Sequence, residues 1–285
     1  MNVRIMKPYG FCAGVEYVLK TIQQVIKDHE GETIYCIGQI VHNISVNEGI
    51  RNQGVIVLEG NKEEIIEKIE KGVVIFSAHG TSQKVIQRAK EKGLIVYDAA
   101  CPFVKKEMKD IYDYLAEGYE IIFVGIREHD EANAILSISS KIHLITSIED
   151  IENTIISTDK IVIVNQTTLS VDNLKKIHQA ILNKFSTAII ADEICNSSKI
   201  RQHNLKKIAK DFDLIIVVGD KHSNNTMTLY KEAKSKNSNV VLCSSHDALN
   251  IEQCASAKDI LVVSGASVPK KRVEEIVLMI KKFEK

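Results

Sequence analysis

The chain has 285 residues, of which 45% are hydrophobic and 26% charged, as in ordinary globular proteins. Basic and acidic side chains balance at 37 each, so net charge gives no support for a nucleic-acid partner. No apolar run approaches the length of a membrane span, and the first residues form a strand-like segment rather than a secretory signal. We therefore expect a cytoplasmic protein with no membrane partner.

Strand-like runs alternate with amphipathic helical segments along the whole chain, which predicts an α/β fold with mostly parallel strands. The first strand precedes "GFCAGV", and helical periodicity follows its cysteine. Later β-branched runs predict buried strands at "GVVIFSA", "YEIIFVG", "DKIVIVN", "DLIIVVG" and "DILVVSG". Three predicted helices have apolar faces formed by Val15, Val18, Leu19, Ile22, Val25 and Ile26; by Val104, Met108, Ile111 and Leu115; and by Ile200, Leu205, Ile208 and Phe212.

A pattern of three similar units runs through the sequence. Cys12, Cys101 and Cys195 each end a strand and open a helix, at two nearly equal intervals. After each cysteine, two further strands lead into polar loops, which are "CIGQIVHN" and "SAHGTS", "VGIREHDE" and "NQTTLS", and "VGDKHSNN" and "SGASVP". We predict units at residues 14–100, 101–193 and 194–285, the last completed by the N-terminal strand within residues 1–13. If the units share one axis, the loops at the carboxyl ends of their strands face a common centre.

The three cysteines have several possible roles. A helix N-terminus favours a thiolate, and three thiolates that face one another would bind a soft metal. Zinc sites usually contain close ligand pairs such as C-x-x-C, which are absent here, and disulfides would leave one of the three unpaired. A 4Fe–4S cluster accepts thiolates from distant segments, and three ligands leave one iron open to a substrate oxygen. The other cysteines are predicted to lie in or beside the core, at Cys36, Cys243 and Cys254.

The polar loops suit an anionic substrate. Three histidines stand just past predicted strands, at His42, His79 and His129. Small hydrogen-bond donors that favour phosphate oxygens stand at predicted helix N-termini, at Ser223, Asn224, Asn225 and Ser267. Glu131, two residues after His129, is the candidate proton donor, because a glutamate near a metal-bound alcohol could supply the proton that expels water.

In this order, the motifs "GFCAGV", "VHN", "SAHG", "DAACP", "EH-x-E", "QTTLS", "EIC", "VG-x-K-x-S-x-N" and "GAS-x-P" resemble the LytB/IspH family of 4-hydroxy-3-methylbut-2-enyl diphosphate reductases. The resemblance covers almost the whole chain. It implies an α/β fold of three similar units in a pseudo-threefold trefoil around a central 4Fe–4S cluster. The implied reaction uses two electrons and two protons to convert the allylic alcohol diphosphate into isopentenyl and dimethylallyl diphosphates and water, in the methylerythritol phosphate route to isoprenoids.

The resemblance also implies roles for individual residues. The cluster ligands would be Cys12, Cys101 and Cys195, and the diphosphate would be held by His42, His79, Ser223, Asn225 and Ser267. Glu131 would supply protons to the departing hydroxyl, Thr167 would order that hydroxyl, and His129 would help near the diphosphate. An electron donor such as ferredoxin or flavodoxin is implied, since the sequence has no flavin or nicotinamide fingerprint.

Some substrate-loop positions depart from the family pattern, at Ile126, Asp130, Asn133, Ser197, Ser198 and Asn224. Ser198 and Asn224 can still form hydrogen bonds. Asp130 adds an anion between His129 and Glu131. An inward carboxylate would raise the pKa of Glu131 and repel diphosphate, whereas an outward one would only cap a helix, which is the arrangement we expect.

Two alternatives to the reductase remain open. One is a paralogue with the same fold and cluster that acts on another small molecule, as a reductive dehydratase or desulfurase. The other is a non-enzymatic iron–sulfur or zinc sensor, which would not need Glu131, Thr167 and a ring of phosphate donors.

Overall fold

The computed structural model describes residues 1–191, 194–244, 249 and 251–282, with helices and strands alternating along the chain. The strands are β1 (Asn2–Ile5), β2 (Ile34–Ile37), β3 (Ile56–Leu58), β4 (Val73–Phe76), β5 (Ile95–Asp98), β6 (Glu120–Val124), β7 (Ile142–Ile145), β8 (Ile161–Asn165), β9 (Ile189–Ile190), β10 (Leu214–Val218), β11 (Val240–Cys243) and β12 (Asp259–Ser264). The helices are α1 (Ala13–Asp28), α2 (Ile44–Arg51), α3 (Lys62–Lys68), α4 (Gln83–Glu91), α5 (Pro102–Ala116), α6 (Asp130–Leu136), α7 (Ile148–Asn153), α8 (Val171–Lys184), α9 (Asn196–Ile208), α10 (Asn224–Lys234), α11 (Ile251–Ser256) and α12 (Lys270–Lys282), with a 3₁₀ turn at Ala209–Asp211.

One compact unit comprises Met1–Val15, His42–Ile44 and Cys195–Lys285. Its sheet has the order β1-β12-β10-β11, and all three pairings are parallel. Every residue of β10 is buried, because alternate side chains enter hydrophobic clusters on opposite faces of the sheet. Coverage on both faces explains why this strand is a continuous apolar run rather than an alternating one.

The other compact unit comprises Glu16–Val41 and Ser45–Ile194 and contains two sheets. Their orders are β3-β2-β4-β5 and β7-β6-β8-β9, again with parallel pairing throughout. The central strands β4 and β8 are buried along their whole length. The predicted α/β class with parallel strands is therefore confirmed.

All three four-stranded sheets have the same strand order when the first is read as β11-β10-β12-β1. The N-terminal strand β1 takes the edge position that β5 and β9 take in the other two sheets. Each predicted ligand cysteine follows this edge strand and precedes a helix, since Cys12 follows β1, Cys101 follows β5 and Cys195 follows β9. The repeat is thus present in the topology, while the predicted unit boundaries stay a prediction.

The predicted helix faces agree with the structure except in α9. Val18, Ile22 and Val25 of α1 are buried, as are Val104, Met108 and Ile111 of α5. In α9, however, Ile200 is 48% exposed and Phe212 lies beyond the end of the helix. Leu205 is buried as predicted, and it shares the buried face of α9 with the polar residues Ser198, Arg201 and Gln202.

Among the described residues, no helix combines the length and the apolar character needed to cross a membrane. All six cysteines lie in this part of the chain, and all are thiols outside any disulfide. Cys36, Cys243 and Cys254 are buried in the core, as predicted.

The core position Phe76 provides a stability test. Phe76 in β4 is fully buried, whereas Ile56 in β3, at the edge of the same sheet, is 44% exposed. We expect Phe76→Ala to lower the free energy of unfolding by about 3–5 kcal/mol, because it removes buried area and leaves a cavity. Ile56→Ala is the control and should cost about 1 kcal/mol or less. Equal losses in urea denaturation would contradict this assignment of the core.

Candidate active site

The predicted functional residues occupy the loops that follow equivalent strands. The strands β2, β6 and β10 lead to His42, to His129 with Glu131, and to Ser223–Asn225. The strands β4, β8 and β12 lead to His79, Thr167 and Ser267. Because parallel strands end at the same edge of a sheet, these loops lie at the carboxyl edge of each sheet, where α/β proteins usually bind ligands.

Glu131 is buried and hydrogen-bonded to the loop after β8. Glu131 lies in the first turn of α6 and is only 2% exposed. The backbone N–H of Thr167 donates to Oε1 at 2.6 Å, and the Thr167 hydroxyl donates to Oε2 at 2.9 Å. The structure therefore brings together the two residues predicted to handle the proton and the hydroxyl.

Burial raises the pKa of Glu131 to about 7, and the two hydrogen bonds from Thr167 oppose this shift. A buried carboxylate loses hydration, so its protonated form is favoured. A carboxyl group that titrates near neutral pH can both hold a proton and release it, which is the property required of a general acid.

His129 and His79 lie side by side next to Glu131. Their rings meet edge to face, with centroids 5.9 Å apart. His129 is the N-cap of α6, and its Nδ1 accepts a hydrogen bond from the backbone N–H of Glu131 at 3.2 Å. An accepting Nδ1 carries no proton, so the ring proton of a neutral His129 is on Nε2.

The expectation that Asp130 caps the helix is wrong, because His129 occupies the N-cap position. The Asp130 carboxylate instead pairs with His79, at 3.7 Å from Oδ2 to Nδ1. Its side chain is 36% exposed. The raised pKa of Glu131 comes from burial and not from Asp130.

In the first compact unit, two of the predicted ligand cysteines share one buried arginine. Arg201 is 1% exposed, and the charges of Cys12 and Cys195 both act on its guanidinium. Burial lowers the pKa of Arg201, and the two thiolates oppose this shift. The guanidinium donates to the carbonyls of Pro8 at 3.0 Å, Ser264 at 2.9 Å and Gly10 at 2.7 Å. Arg201 thereby fixes the segment that leads to Cys12.

Ser198 connects the third predicted ligand cysteine to the predicted phosphate loop. Its hydroxyl lies 3.2 Å from the Cys195 sulfur and accepts a hydrogen bond from the Asn225 amide at 2.8 Å. The Asn225 carbonyl oxygen accepts in turn from the backbone N–H of Ala266 at 3.2 Å. The departure from the family pattern at Ser198 is therefore a buried hydrogen-bonding position beside Cys195.

The remaining predicted phosphate donors lie in two neighbouring loops. Ser223 caps α10, its oxygen accepting from the backbone N–H of Thr226 at 3.4 Å, which leaves its O–H to donate. Asn224 is the first residue of α10. The Ser267 hydroxyl donates to the carbonyl of His42 at 3.1 Å, and the Asn43 amide donates to the carbonyl of Ser267 at 2.9 Å.

The donor set of the three cysteines fits a cluster held by thiolates. Each is partly exposed rather than sealed in the core, and each stands directly at or before a helix N-terminus, where negative charge is favoured. Cys195 and Cys101 are N-cap residues whose side chains form no capping hydrogen bond. The Cys12 sulfur accepts from the backbone N–H of Val15 at 3.4 Å, a bond that stabilises a thiolate. Cys101 lies in the second compact unit, and the meeting of all three sulfurs stays a prediction.

Sequence reasoning missed three contributors to these sites, at Asn43, Lys62 and Arg201. Arg201 had a detectable signal, because Ser198, Arg201 and Gln202 form a polar stripe at helical spacing. Asn43 also had a signal, because it stands in the "VHN" motif, whereas Lys62 lies outside every motif.

The fold and these side chains define an α/β protein with thiols, histidines and a protonatable carboxyl group at the carboxyl edges of parallel sheets. The chain belongs to the LytB protein family, which it matches over residues 3–281. It is 36% identical to the 4-hydroxy-3-methylbut-2-enyl diphosphate reductase of Geobacillus sp. (strain WCH70), covering 100% of this chain and 91% of the relative. The enzyme of that name from Halalkalibacterium halodurans is 35% identical, with 100% and 92% covered.

Two solved structures share the fold. The E-1-hydroxy-2-methyl-but-2-enyl-4-diphosphate reductase from Plasmodium falciparum has a TM-score of 0.90 at 29% identity, covering 98% of this chain and 87% of that one. A structure of (E)-4-hydroxy-3-methyl-but-2-enyl diphosphate reductase has a TM-score of 0.70 at 28% identity, covering 99% of both chains. The predicted family and fold class are confirmed.

The Glu131–Thr167 pair predicts a measurable titration. Below the unfolded-state pKa of about 4.3, the Glu131 carboxyl group is protonated and no charge is buried on folding. This contribution to the free energy of unfolding is lost as the pH rises through the folded-state pKa of about 7. Thr167→Val removes one bond that favours the carboxylate, so the pKa of Glu131 should rise further. In pH-dependent infrared spectra, the C=O band of the Glu131 carboxylic acid is the one that Glu131→Gln lacks. In Thr167→Val, this band should persist to higher pH than in the wild type.

Thr146→Val is the matched control, because the Thr146 hydroxyl donates to Asp150 rather than to Glu131. This variant should leave the Glu131 band unchanged. A band that titrates at the same pH in Thr167→Val and in the wild type would contradict the role given to the hydroxyl.

Proposed function

We propose that this protein is a 4-hydroxy-3-methylbut-2-enyl diphosphate reductase, an oxidoreductase of isoprenoid biosynthesis. The observation that carries the proposal is the buried Glu131 carboxyl group, bonded twice to Thr167 beside two histidines. The names of relatives that match the whole chain support the same reaction. In this reaction the allylic diphosphate takes up two electrons and two protons, loses its hydroxyl as water, and gives isopentenyl and dimethylallyl diphosphates.

The family typically holds a 4Fe–4S cluster, and in this chain the ligands would be Cys12, Cys101 and Cys195. When bound, such a cluster supplies electrons and an iron without a protein ligand that polarises a substrate oxygen. Arg201 supports this arrangement, because its buried guanidinium lies beside Cys12 and Cys195 and offers a positive charge to a cluster held by thiolates.

Glu131 would protonate the departing hydroxyl. Hydroxide is a poor leaving group, and protonation converts it to water. The raised pKa of Glu131, about 7, provides a proton at neutral pH. The Thr167 hydroxyl, which touches the same carboxyl group, would order the substrate hydroxyl and fix the direction of transfer.

The diphosphate would be held by imidazole, hydroxyl and amide donors. His42, His79 and His129 supply ring N–H groups, and the small donors are Ser223, Asn224, Asn225 and Ser267. Asn225 is held in place through its bonds to Ser198 and Ala266, so its orientation is fixed before a ligand arrives. Preorganised donors of this kind lose little entropy on binding.

The electrons would come from a separate protein of the ferredoxin or flavodoxin class. The reaction consumes two electrons, and the sequence has no flavin or nicotinamide fingerprint from which they could be drawn. A one-electron carrier matches a cluster that accepts electrons singly.

Turnover tests the reaction directly. We expect the anaerobically purified, cluster-containing protein to reduce the allylic diphosphate with a strong one-electron donor. Glu131→Gln should lower turnover by about 100-fold or more, the usual contribution of a positioned proton donor. Glu232→Gln is the control, because it changes another buried carboxylate, one paired with Lys206 in α9. Full cluster content without turnover would instead favour the paralogue that acts on another molecule.

The cluster ligands have a separate test. Cys101→Ser should lose the cluster, measured as iron content and as the Mössbauer spectrum of anaerobic protein. Cys254→Ser, which alters a thiol buried in the core, should keep it. One iron site should change its Mössbauer parameters when the allylic diphosphate is added to wild type. A cluster retained in Cys101→Ser would contradict the ligand assignment.

A further inference from the structure

Asp130 places a carboxylate directly against a histidine of the predicted diphosphate site. Its Oδ2 lies 3.7 Å from Nδ1 of His79, and the His79 side chain is only 14% exposed. Both residues belong to the second compact unit. A carboxylate beside one ring nitrogen restricts the orientation of an imidazole.

Lys62 also forms hydrogen bonds to the loop that carries His79. Its ammonium donates to the carbonyl of Gly80 at 2.5 Å and to the Thr81 hydroxyl at 3.1 Å. Gly80 adopts a φ of +85° immediately after His79, a conformation that glycine accepts without strain. The segment that carries His79 is therefore anchored by α3 as well as by Asp130.

Lys62 also counters the charge of Asp130. Burial lowers the pKa of the Lys62 ammonium, and the strongest opposing influence is the carboxylate of Asp130, followed by Cys36 and Asp98. The added anion is thus accompanied by the Lys62 ammonium and by an imidazole that can carry a positive charge. A group of this composition does not repel a diphosphate as an isolated carboxylate would.

The two neighbouring histidines differ in their contacts. Nδ1 of His129 accepts from the backbone N–H of Glu131, whereas Nδ1 of His79 faces the carboxylate of Asp130. The two rings meet edge to face, with centroids 5.9 Å apart.

We propose that Asp130 is a positioning residue for substrate binding, whose carboxylate, 3.7 Å from Nδ1 of His79, holds this imidazole in the orientation in which it meets the substrate's diphosphate. The inference rests on the proposed function and assigns to this chain a carboxylate–histidine pair in its diphosphate site. Asp130 acts through His79 and touches no reacting atom.

The test uses anaerobic, cluster-containing protein and inorganic pyrophosphate as the probe. Asp130→Asn should weaken pyrophosphate binding about tenfold near pH 7.5, because the neutral amide no longer attracts the His79 ring that it faces. In turnover, KM for the allylic diphosphate should rise about tenfold while kcat changes less than twofold, since Glu131 is unaltered.

A double-mutant cycle identifies the route of the effect. In a His79→Asn background, Asp130→Asn should cause no further loss, because its partner is already absent. Glu120→Gln is the matched control, since it removes the carboxylate 2.7 Å from Nε2 of His143 at the opposite end of β6. It should leave pyrophosphate affinity unchanged.

The outcomes separate the inference from the proposed reaction. Equal pyrophosphate affinity in Asp130→Asn and wild type, or full additivity with His79→Asn, would overturn the role of Asp130 even if turnover is normal. Coupled losses of pyrophosphate binding without any turnover of the allylic diphosphate would support the pair and overturn the reductase.

Discussion

The parallel pairing of every sheet is the constraint on which the rest of the structure depends. Parallel strands need long crossover connections, so each sheet is covered by helices and its central strands are continuous apolar runs. In the central strands, polar residues are then confined to the ends, and the candidate site residues lie beyond the carboxyl edge. The predicted ligand cysteines, the three candidate histidines and Glu131 all lie in segments that follow a strand, and each of these strands has equivalents in the other two sheets.

The same packing makes acid chemistry possible at Glu131. A carboxyl group on an exposed loop would be ionised at neutral pH, but the start of α6 buries this one against the loop after β8. Loss of hydration raises its pKa, while Thr167 supplies two bonds that keep the group oriented and limit the shift. The orientation and the pKa of the Glu131 carboxyl group are thus set by one contact, between the start of α6 and the loop after β8.

Two departures from the family pattern, Ser198 and Asp130, lie in hydrogen-bonded or ion-paired positions, whereas Ile126 and Asn133 are exposed. Ser198 is buried between the Cys195 sulfur and the Asn225 amide, so it links the predicted cluster ligand to the predicted phosphate loop. Asp130 is paired with His79, and its negative charge opposes the lowering of the pKa of the buried Lys62 ammonium. Both side chains thus have partners among the predicted site residues, which agrees with a diphosphate site.

The sequence by itself determined the α/β class, the threefold recurrence of strand, polar loop and helix, and the family, because these depend on periodicity and motifs within short segments. It also placed Glu131 and Thr167 as candidates through their loops. Only the tertiary structure decided that Asp130 faces His79 instead of capping α6, that α9 buries its polar stripe rather than Ile200, and that Arg201 holds Pro8 and Gly10. These contacts join residues far apart in the chain, and their geometry follows from how elements pack, which local pattern does not encode.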